Sequence, residues 1–474
     1  MKDQKDQKDF QVVIAGAGPG GALLARQLAS AGMSVAVYEL KKEGKLGHNW
    51  SDAVEKTALA AAGFEMPVIE DGRYKGSLVK KSEDDDNLFE PHRMDRLEIR
   101  FPDLSGATRT AVDFRYITTD RRVLGKMLAG QAIAAGAKIF YQHRADGLIG
   151  DTNGPLEQIQ VRGLRVTDTQ TGKTADVRAD VVVDAAGYLS LLRASLPGAL
   201  ALNRKFSGGD LAYACRTIRR LDTSRATADD LVDHYRYGAF KGYFWTHLHH
   251  NDSVDVGGGV KEAPGRVDPM AIIKEMIAER PSITDEELGG GGGIVLVGKS
   301  PWTLAASGFA AVGDAAGQVI PTTGCGVGGA MTGALLAADA IMAALKKGAC
   351  TLENLWPYNR NWFAGRGSHL AALSAVKEIL QDLSHDEISF LMRKDIMSGE
   401  MLTPTINGIF LEPDLPTMIR TLVNGLSRPL LLMKLNRATT LGKKIYAHYR
   451  DYPETWNPSA FDAWVKKSEK LFGF

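Results

Sequence analysis

Gln11-Val12-Val13-Ile14-Ala15-Gly16-Ala17-Gly18-Pro19-Gly20-Gly21 decides how the chain begins to fold. A short β-branched run enters GxGxxG at Gly16, Gly18 and Gly21, a helical pattern follows from Gly20 to Ala31, and Ser34 to Glu39 reads as a second strand. This is one βαβ unit, built to hold a dinucleotide. Gly16 makes the tight turn, and Gly18, beside Pro19, lets the backbone reach a pyrophosphate at the helix N-terminus. Gly21 permits close helix–sheet packing, and Glu39 accepts from ribose hydroxyls.

Working outward, Arg121 to Ala135 has helical spacing and leads through Gly136 into a strand at Lys138 to Tyr141. Ile159 to Arg165 and Thr174 to Arg178 read as a small meander, and Val181 to Val183 as a buried strand ending at Asp184. From Leu211 the texture changes to separated strands, notably Tyr243 to His249 and Ser253 to Val260, with a helix from Pro269 to Glu279. Gly289 to Gly293 reads as a flexible connection, after which Ile294 to Val297 restarts strand structure. Phe309 to Val312 is a further short strand, followed by a small-residue helix to about Lys347, and the chain from Thr351 onward is mostly helical. The predicted organisation is a discontinuous dinucleotide domain (10–79, 117–200 and 294–350), a substrate domain on an antiparallel sheet (80–116 and 201–293) and a helical C-terminal region (351–474).

Composition narrows the function classes. The 474 residues are 44% hydrophobic and 24% charged, ordinary globular values that exclude a disordered or fibrous chain. Lys+Arg 57 against Asp+Glu 56 gives a net charge of +1, so no electrostatic footprint for nucleic acid is expected. Three distant cysteines, Cys215, Cys325 and Cys350, exclude a disulfide scaffold and suit a reducing, cytoplasmic setting. Met1 to Phe10 repeats Lys-Asp-Gln and reads as a short disordered tail. The Ala/Gly-rich stretch Gly324 to Leu345 carries Asp339, which argues against a spanning helix.

Two later stretches choose the dinucleotide. Ala179 to Arg193, reading ADVVVDAAGYLSLLR, resembles the segment of flavin hydroxylases and reductases that returns a strand to the cofactor. Gly308 to Gly317, reading GFAAVGDAAG, resembles their later motif, whose Asp binds the ribityl chain. These resemblances imply FAD, with Arg121, Gly187, Gly313, Asp314, Pro321, Gly324 and Gly326 joining the glycine loop as cofactor-binding residues. Asp314 also suits an ordinary helix cap. No second GxGxxG appears, so NAD(P)H or a reduced ferredoxin-like protein would act only as a transient electron donor. Gly242-Tyr243-Phe244-Trp245 and Val256-Gly257-Gly258-Gly259-Val260 resemble the substrate-domain pattern of the geranylgeranyl reductases, within the p-hydroxybenzoate hydroxylase-like superfamily. The sequence departs from that pattern twice, with Thr246-His247-Leu248-His249-His250 in place of Phe-Pro-Lys and Gly47-His48-Asn49-Trp50-Ser51-Asp52 in place of a Cys-Gly. The resemblance runs from residue 11 to about 350.

Reading the remaining candidates, Tyr243 and Trp245 share a strand face and wall an apolar pocket or fill a core. His48 and Asp52 suit a proton-donating pair or structural hydrogen bonding, with His48 the first choice of acid. His247 and His249 share a face without a third ligand, so no metal is expected. Cys325 reads as an inert small hydrophobe, and Lys80 to Asp86 as a solvated loop. Leu430 to Met433, beside Arg428, Lys434, Arg437, Lys443 and Lys444, makes an apolar, basic-rimmed surface for peripheral membrane contact or a packing face. The chain is therefore expected to be an FAD-dependent oxidoreductase reducing carbon–carbon double bonds of an isoprenoid or other apolar lipid. The alternatives are a flavin monooxygenase that hydroxylates or epoxidises, and an electron-transfer or flavin-sensing protein. Oligomeric state is not encoded in any of these patterns.

Overall fold

In a computed structural model of the chain, the described residues are 9–66, 68–70, 73–75, 96–100, 108–112, 115–197, 201–227, 230, 234–238, 241–249, 252–261 and 267–473. The expected loop Lys80 to Asp86 and most of the expected N-terminal tail lie outside them.

The first sheet grows from strand Phe10–Ala15, which pairs in parallel with Val35–Glu39 on one side and with residues 179–184 on the other. Lys138–Tyr141 extends it beyond Val35–Glu39, and Phe309–Ala311 closes the far side against Val182 to Asp184. Val12, Val13, Ile14, Val181, Val182 and Val183 are fully buried, as strands covered on both faces must be. Helix Pro19–Ser30 lies on this sheet, and the small-residue helix Val327–Lys346 packs on that helix. Among the described residues Val327–Lys346 is the helix long and apolar enough to cross a membrane, and 67% of its apolar window is buried inside the fold. Asp339 lies on its exposed side.

The second strand of the expected meander, Thr174 to Arg178, and the expected buried strand are one strand, Thr174–Asp184. Its first half pairs antiparallel with Gln160–Asp168, which in turn pairs with His143–Asp151, and its second half turns into the parallel sheet. The change of partner halfway explains the break in hydrophobic pattern at Arg178-Ala179-Asp180.

A second, mostly antiparallel sheet runs in the order 283–296, 211–221, 253–260, 242–249, 234–238, 96–100, 108–112. One face packs Phe244, Val256, Leu221 and Cys215 on helix Pro269–Ala278 through Ile273 and Met276. The other face carries Tyr243, Trp245 and Arg216 toward the first sheet. Here the sequence expectation fails: Gly289 to Gly293 is not a connection. It lies inside the strand Ile283–Leu296, in register with Ala214 to Ile218. Glycine is used for space. A Cβ on Gly291 would stand 3.2 Å from the Trp50 ring, and one on Gly290 would stand 2.5 Å from the carbonyl of Arg216. The neighbouring strand works similarly, because Trp245 lies across Gly257 and Phe244 across Gly258, where Cβ atoms would approach the rings to 2.3 Å and 2.1 Å.

The C-terminal helices from Leu352 to Phe472 form an aromatic core, with Tyr452 stacked on Trp356 at 5.4 Å and on Phe363 at 4.7 Å. They are fastened to the sheets by polar bonds. The Tyr116 hydroxyl donates to the carbonyl of Ile406 (2.9 Å), Thr322 Oγ1 to that of Thr405 (3.0 Å), and Lys377 Nζ to that of Val297 (2.7 Å). Leu431 is buried at the start of helix Pro429–Arg450, whereas Leu430 and Met433 are exposed, so the Leu430 to Met433 run is part packing face and part surface.

The space filled by Phe244 gives the first prediction. Gly258→Ala should overpack the Phe244 site and cost about 1–3 kcal/mol, lowering the urea midpoint. An unchanged midpoint would mean that the ring moves aside freely.

Candidate active site

The sheets meet around one cavity of about 790 Å³. Its lining includes Gly16, Gly18, Pro19, Gly21, Glu39, Arg121, Gly187, Gly313, Asp314, Pro321, Gly324 and Gly326, together with His48, Asp52, Tyr243 and Trp245. Residues singled out from segments spread over more than 300 positions thus converge on one space.

At one end stands the glycine loop. Gly16 has φ +99°, and a Cβ there would lie 2.5 Å from the Ala185 carbonyl. A Cβ on Gly21 would meet the Gly16 carbonyl at 2.0 Å, whereas one on Gly18 would meet no atom of the chain within 4 Å and would project into the space where phosphate oxygens must come. Helix Pro19–Ser30 has no side-chain cap, so its first-turn N–H groups are left for an anion. The Glu39 carboxylate is positioned by the loop itself, accepting from Ala17 N (2.7 Å) and Lys41 N (2.8 Å) while still lining the cavity. Asp184, fully buried, accepts from Ser190 Oγ (2.8 Å) and from Ala186 N and Arg193 N (3.2 Å each), turning the chain so that Ala185 to Gly187 face the site. Arg193 then reaches across to the carbonyl of Ala315 (2.8 Å) and ties this segment to the Gly313 to Gly317 motif.

Asp314 is a carboxylate set in the cavity wall, and among the described residues no donor bonds to its side chain. Burial raises its pKa, and Arg121 partly opposes the rise. An acceptor in such a position suits the hydroxyls of a ribityl chain. Beyond it, Gly324 to Gly326 lead into helix Val327–Lys346, which also starts without a side-chain cap. Two uncapped helix N-termini therefore open on the same cavity, and either would suit an anionic or electron-rich group such as a pyrophosphate or the edge of a flavin ring. The residues present fit FAD.

The opposite wall is electrostatically tight. Asp52 lies between Arg121 (2.6 Å) and Arg216 (2.9 Å), and Arg216 also reaches Asp255 (2.8 Å). Burial alone would raise the pKa of Asp52, but the two guanidiniums hold it down at about 2. Arg216 is itself sandwiched between the rings of Trp50 (5.1 Å) and Trp245 (5.2 Å). Arg216 and Trp50 were not singled out in the sequence. The available signal was Ala212, Ala214 and Arg216 alternating on one strand face, a lone charge in a row of small residues.

His48 stacks on Trp50 at 4.3 Å. Burial, then the charges of Arg121 and Lys41, lower its pKa to about 4, so the imidazole is neutral near pH 7 and is a poor proton reservoir. Cys325 also lines the cavity, and burial pushes its thiol up to about 12, so it keeps its proton. Tyr243 donates to the carbonyl of Thr323 (2.5 Å), binding the second sheet to the flavin loop. Trp245 is both cavity wall and buried core, 8% exposed, and its indole Nε1 has no acceptor among the described residues. His247 lines the cavity, and no metal-binding cluster occurs among the described residues. None of the three cysteines forms a disulfide.

Comparison with known proteins agrees with this geometry. The FAD binding domain family matches residues 9–209. The digeranylgeranylglycerophospholipid reductase of Sulfolobus acidocaldarius is 25% identical over 99% of this chain and 98% of its own length. That of Methanothrix thermoacetophila is 27% identical over 84% of this chain and 94% of its own. A geranylgeranyl bacteriochlorophyll reductase-like structure from Thermoplasma acidophilum superposes with a TM-score of 0.69 at 20% identity, covering 90% of this chain and 99% of that one. The similarity extends past residue 350 into the C-terminal helices, further than the motifs alone reach.

Two outcomes test the site. Gly18→Leu should fold, because a Cβ there meets no protein atom within 4 Å, yet purify without the yellow of bound FAD; a folded, fully loaded variant would place the pyrophosphate elsewhere. For His48, the unfolded imidazole protonates near 6.5 and the folded one near 4, so its contribution to stability is present above pH 6.5 and lost as the pH falls toward 4. Imidazole nitrogen shifts should show His48 neutral at pH 6, and a charged ring at that pH would contradict the surrounding field.

The glycine loop, the Asp314 wall and the full-length likeness lead to one statement: the chain is an FAD-dependent oxidoreductase with the p-hydroxybenzoate hydroxylase-like fold, related to the geranylgeranyl reductases.

Proposed function

We propose that this protein reduces carbon–carbon double bonds of an isoprenoid lipid. The observation that carries the reading is the continuity of the cavity, which passes from the glycine loop and Asp314 to a wall of Tyr235, Tyr243 and Trp245 without a partition. Bound FAD supplies a two-electron donor once reduced, by NAD(P)H or a ferredoxin-like protein in the cytoplasm. The chain's own residues do the rest. Gly16, Gly18 and the uncapped helix Pro19–Ser30 hold the pyrophosphate, Glu39 the ribose and Asp314 the ribityl hydroxyls. Tyr235, Tyr243 and Trp245 form aromatic surface for an apolar chain and keep water from the reacting carbons. Arg216, held by Asp52, lies between the Trp50 and Trp245 rings and fixes both in the cavity wall.

His48 acts in this reading as part of the wall, stacked and neutral. Cys325 keeps its proton in the same cavity, but with its thiol pushed up to about 12 neither it nor His48 is matched to proton donation near pH 7. The Tyr243 hydroxyl is committed to Thr323 and serves to position the loop.

The test is an anaerobic single turnover. Holoprotein reduced by light or dithionite is mixed with a geranylgeranyl lipid, and products are analysed by mass. Two hydrogens gained per double bond are expected. Uptake of labelled oxygen on admission of air, without hydrogenation, would give the monooxygenase instead, and reoxidation with unchanged lipid would leave only electron transfer. Trp245→Ala should retain FAD and lose turnover about a hundredfold, because a substrate loosened by an ångström leaves the reactive geometry. Full turnover per bound FAD in that variant would remove this wall from the substrate site.

A further inference from the structure

Ten of the seventeen exposed large hydrophobic side chains among the described residues fall between Met401 and Met433. Their arrangement is unusual. Helix Leu415–Gly425 is turned inside out relative to a helix on a water-facing surface. Its polar side faces protein, with Asn424 Nδ2 donating to the carbonyl of Lys394 (2.8 Å), and Arg420 donating to Ser398 Oγ (3.3 Å) and lying 3.7 Å from Asp395. Its apolar side faces outward, where Leu415 is 68%, Ile419 54%, Leu422 56% and Leu426 64% exposed. The spacing of these four, i, i+4, i+7 and i+11, makes one stripe along the helix. The stripe continues onto the next helix through Leu430 and Met433, 75% and 66% exposed.

Charge agrees with the shape. Residues 415–450 contain seven Lys and Arg and no Asp or Glu, in a chain whose net charge is only +1. Arg420, Arg428, Lys434 and Lys443 pair with Asp395, Asp386, Glu387 and Glu412, and Arg437 and Lys444 stand exposed on the face that carries Leu430 and Met433. The cavity lies close by. Lys241, Lys261 and Gln381 line one end of it. Lys241 pairs with Asp382 (3.2 Å), four residues before Asp386, which pairs with Arg428 (2.5 Å) next to Leu430. One short run of chain thus connects the cavity end to the exposed stripe.

We propose that the corner formed by Leu415–Gly425 and the first turns of Pro429–Arg450 seats on the surface of an anionic lipid bilayer, the apolar stripe lying in the headgroup–acyl boundary and the exposed Arg437 and Lys444, which follow Leu430 and Met433 on one helix face, at the headgroups. This goes beyond the catalytic reading and does not depend on it, since binding is measured without substrate or turnover. The full-length FAD-loaded protein is floated with phosphatidylcholine vesicles with and without phosphatidylglycerol. It should rise with the anionic vesicles, and less so as salt is added. The double variant Leu422→Asp, Leu430→Asp should keep its colour and melting temperature, because both side chains are already in water, and should partition at least about tenfold less. The proposal is overturned if the native protein stays at the bottom of the gradient, if the double variant floats equally, or if binding is the same without phosphatidylglycerol. It is also overturned if light scattering shows a dimer that the double variant dissociates, which would make the occupant a second copy.

Discussion

The Asp52 carboxylate, between the guanidiniums of Arg121 and Arg216, is the joint on which the site depends. Arg121 begins the helix Arg121–Ala134 beside the first sheet, Asp52 sits on the strand pair 51–55 and 116–120, and Arg216 belongs to the second sheet. Three substructures meet at one carboxylate. Burying such charges is costly, and a buried ion pair seldom adds net stability over an apolar one. Its value here is geometric: it fixes Trp50 and Trp245 on either side of Arg216 and so sets the walls of the cavity. Burial, aided by the charges of Arg121 and Lys41, keeps His48 neutral.

Glycine does two separate jobs in this molecule. In the loop at Gly16 to Gly21 it permits a tight turn and the approach of a phosphate. In the second sheet, at Gly257, Gly258 and Gly290 to Gly292, it makes room for aromatic rings and for neighbouring backbone. The first use is legible because motif order declares it. The second is not, because five glycines in a row satisfy a linker and a strand equally until the partner strand is known. The pairing with Ala214 to Ile218 spans some 70 residues, and nothing local to the run specifies it.

The C-terminal region shows a related contrast. Its helical character follows from local periodicity, and its aromatic residues announce a core. Which face of each helix turns inward follows from tertiary packing. For Leu415–Gly425 the usual rule that the apolar stripe faces the core gives the wrong orientation, because Asn424, Arg420 and their partners at Lys394, Ser398 and Asp395 hold the polar side to the protein.

The sequence by itself determined the FAD-binding unit, since each of its elements is a local pattern with a local physical reason: a strand, a turn that only glycine fits, a helix N-terminus and an acid at a set distance. It also determined the identity of the later flavin segments at Asp184 to Arg193 and Gly313 to Gly317 through resemblance. The convergence of these segments on one cavity, the partner of Asp52, the neutrality of His48, the proton-bearing thiol of Cys325 and the room made for Trp245 were decided only by the tertiary structure. The physical reason is that pKa values, ring packing and cavity walls depend on which distant charges and side chains come within a few ångströms, and those distances belong to the fold.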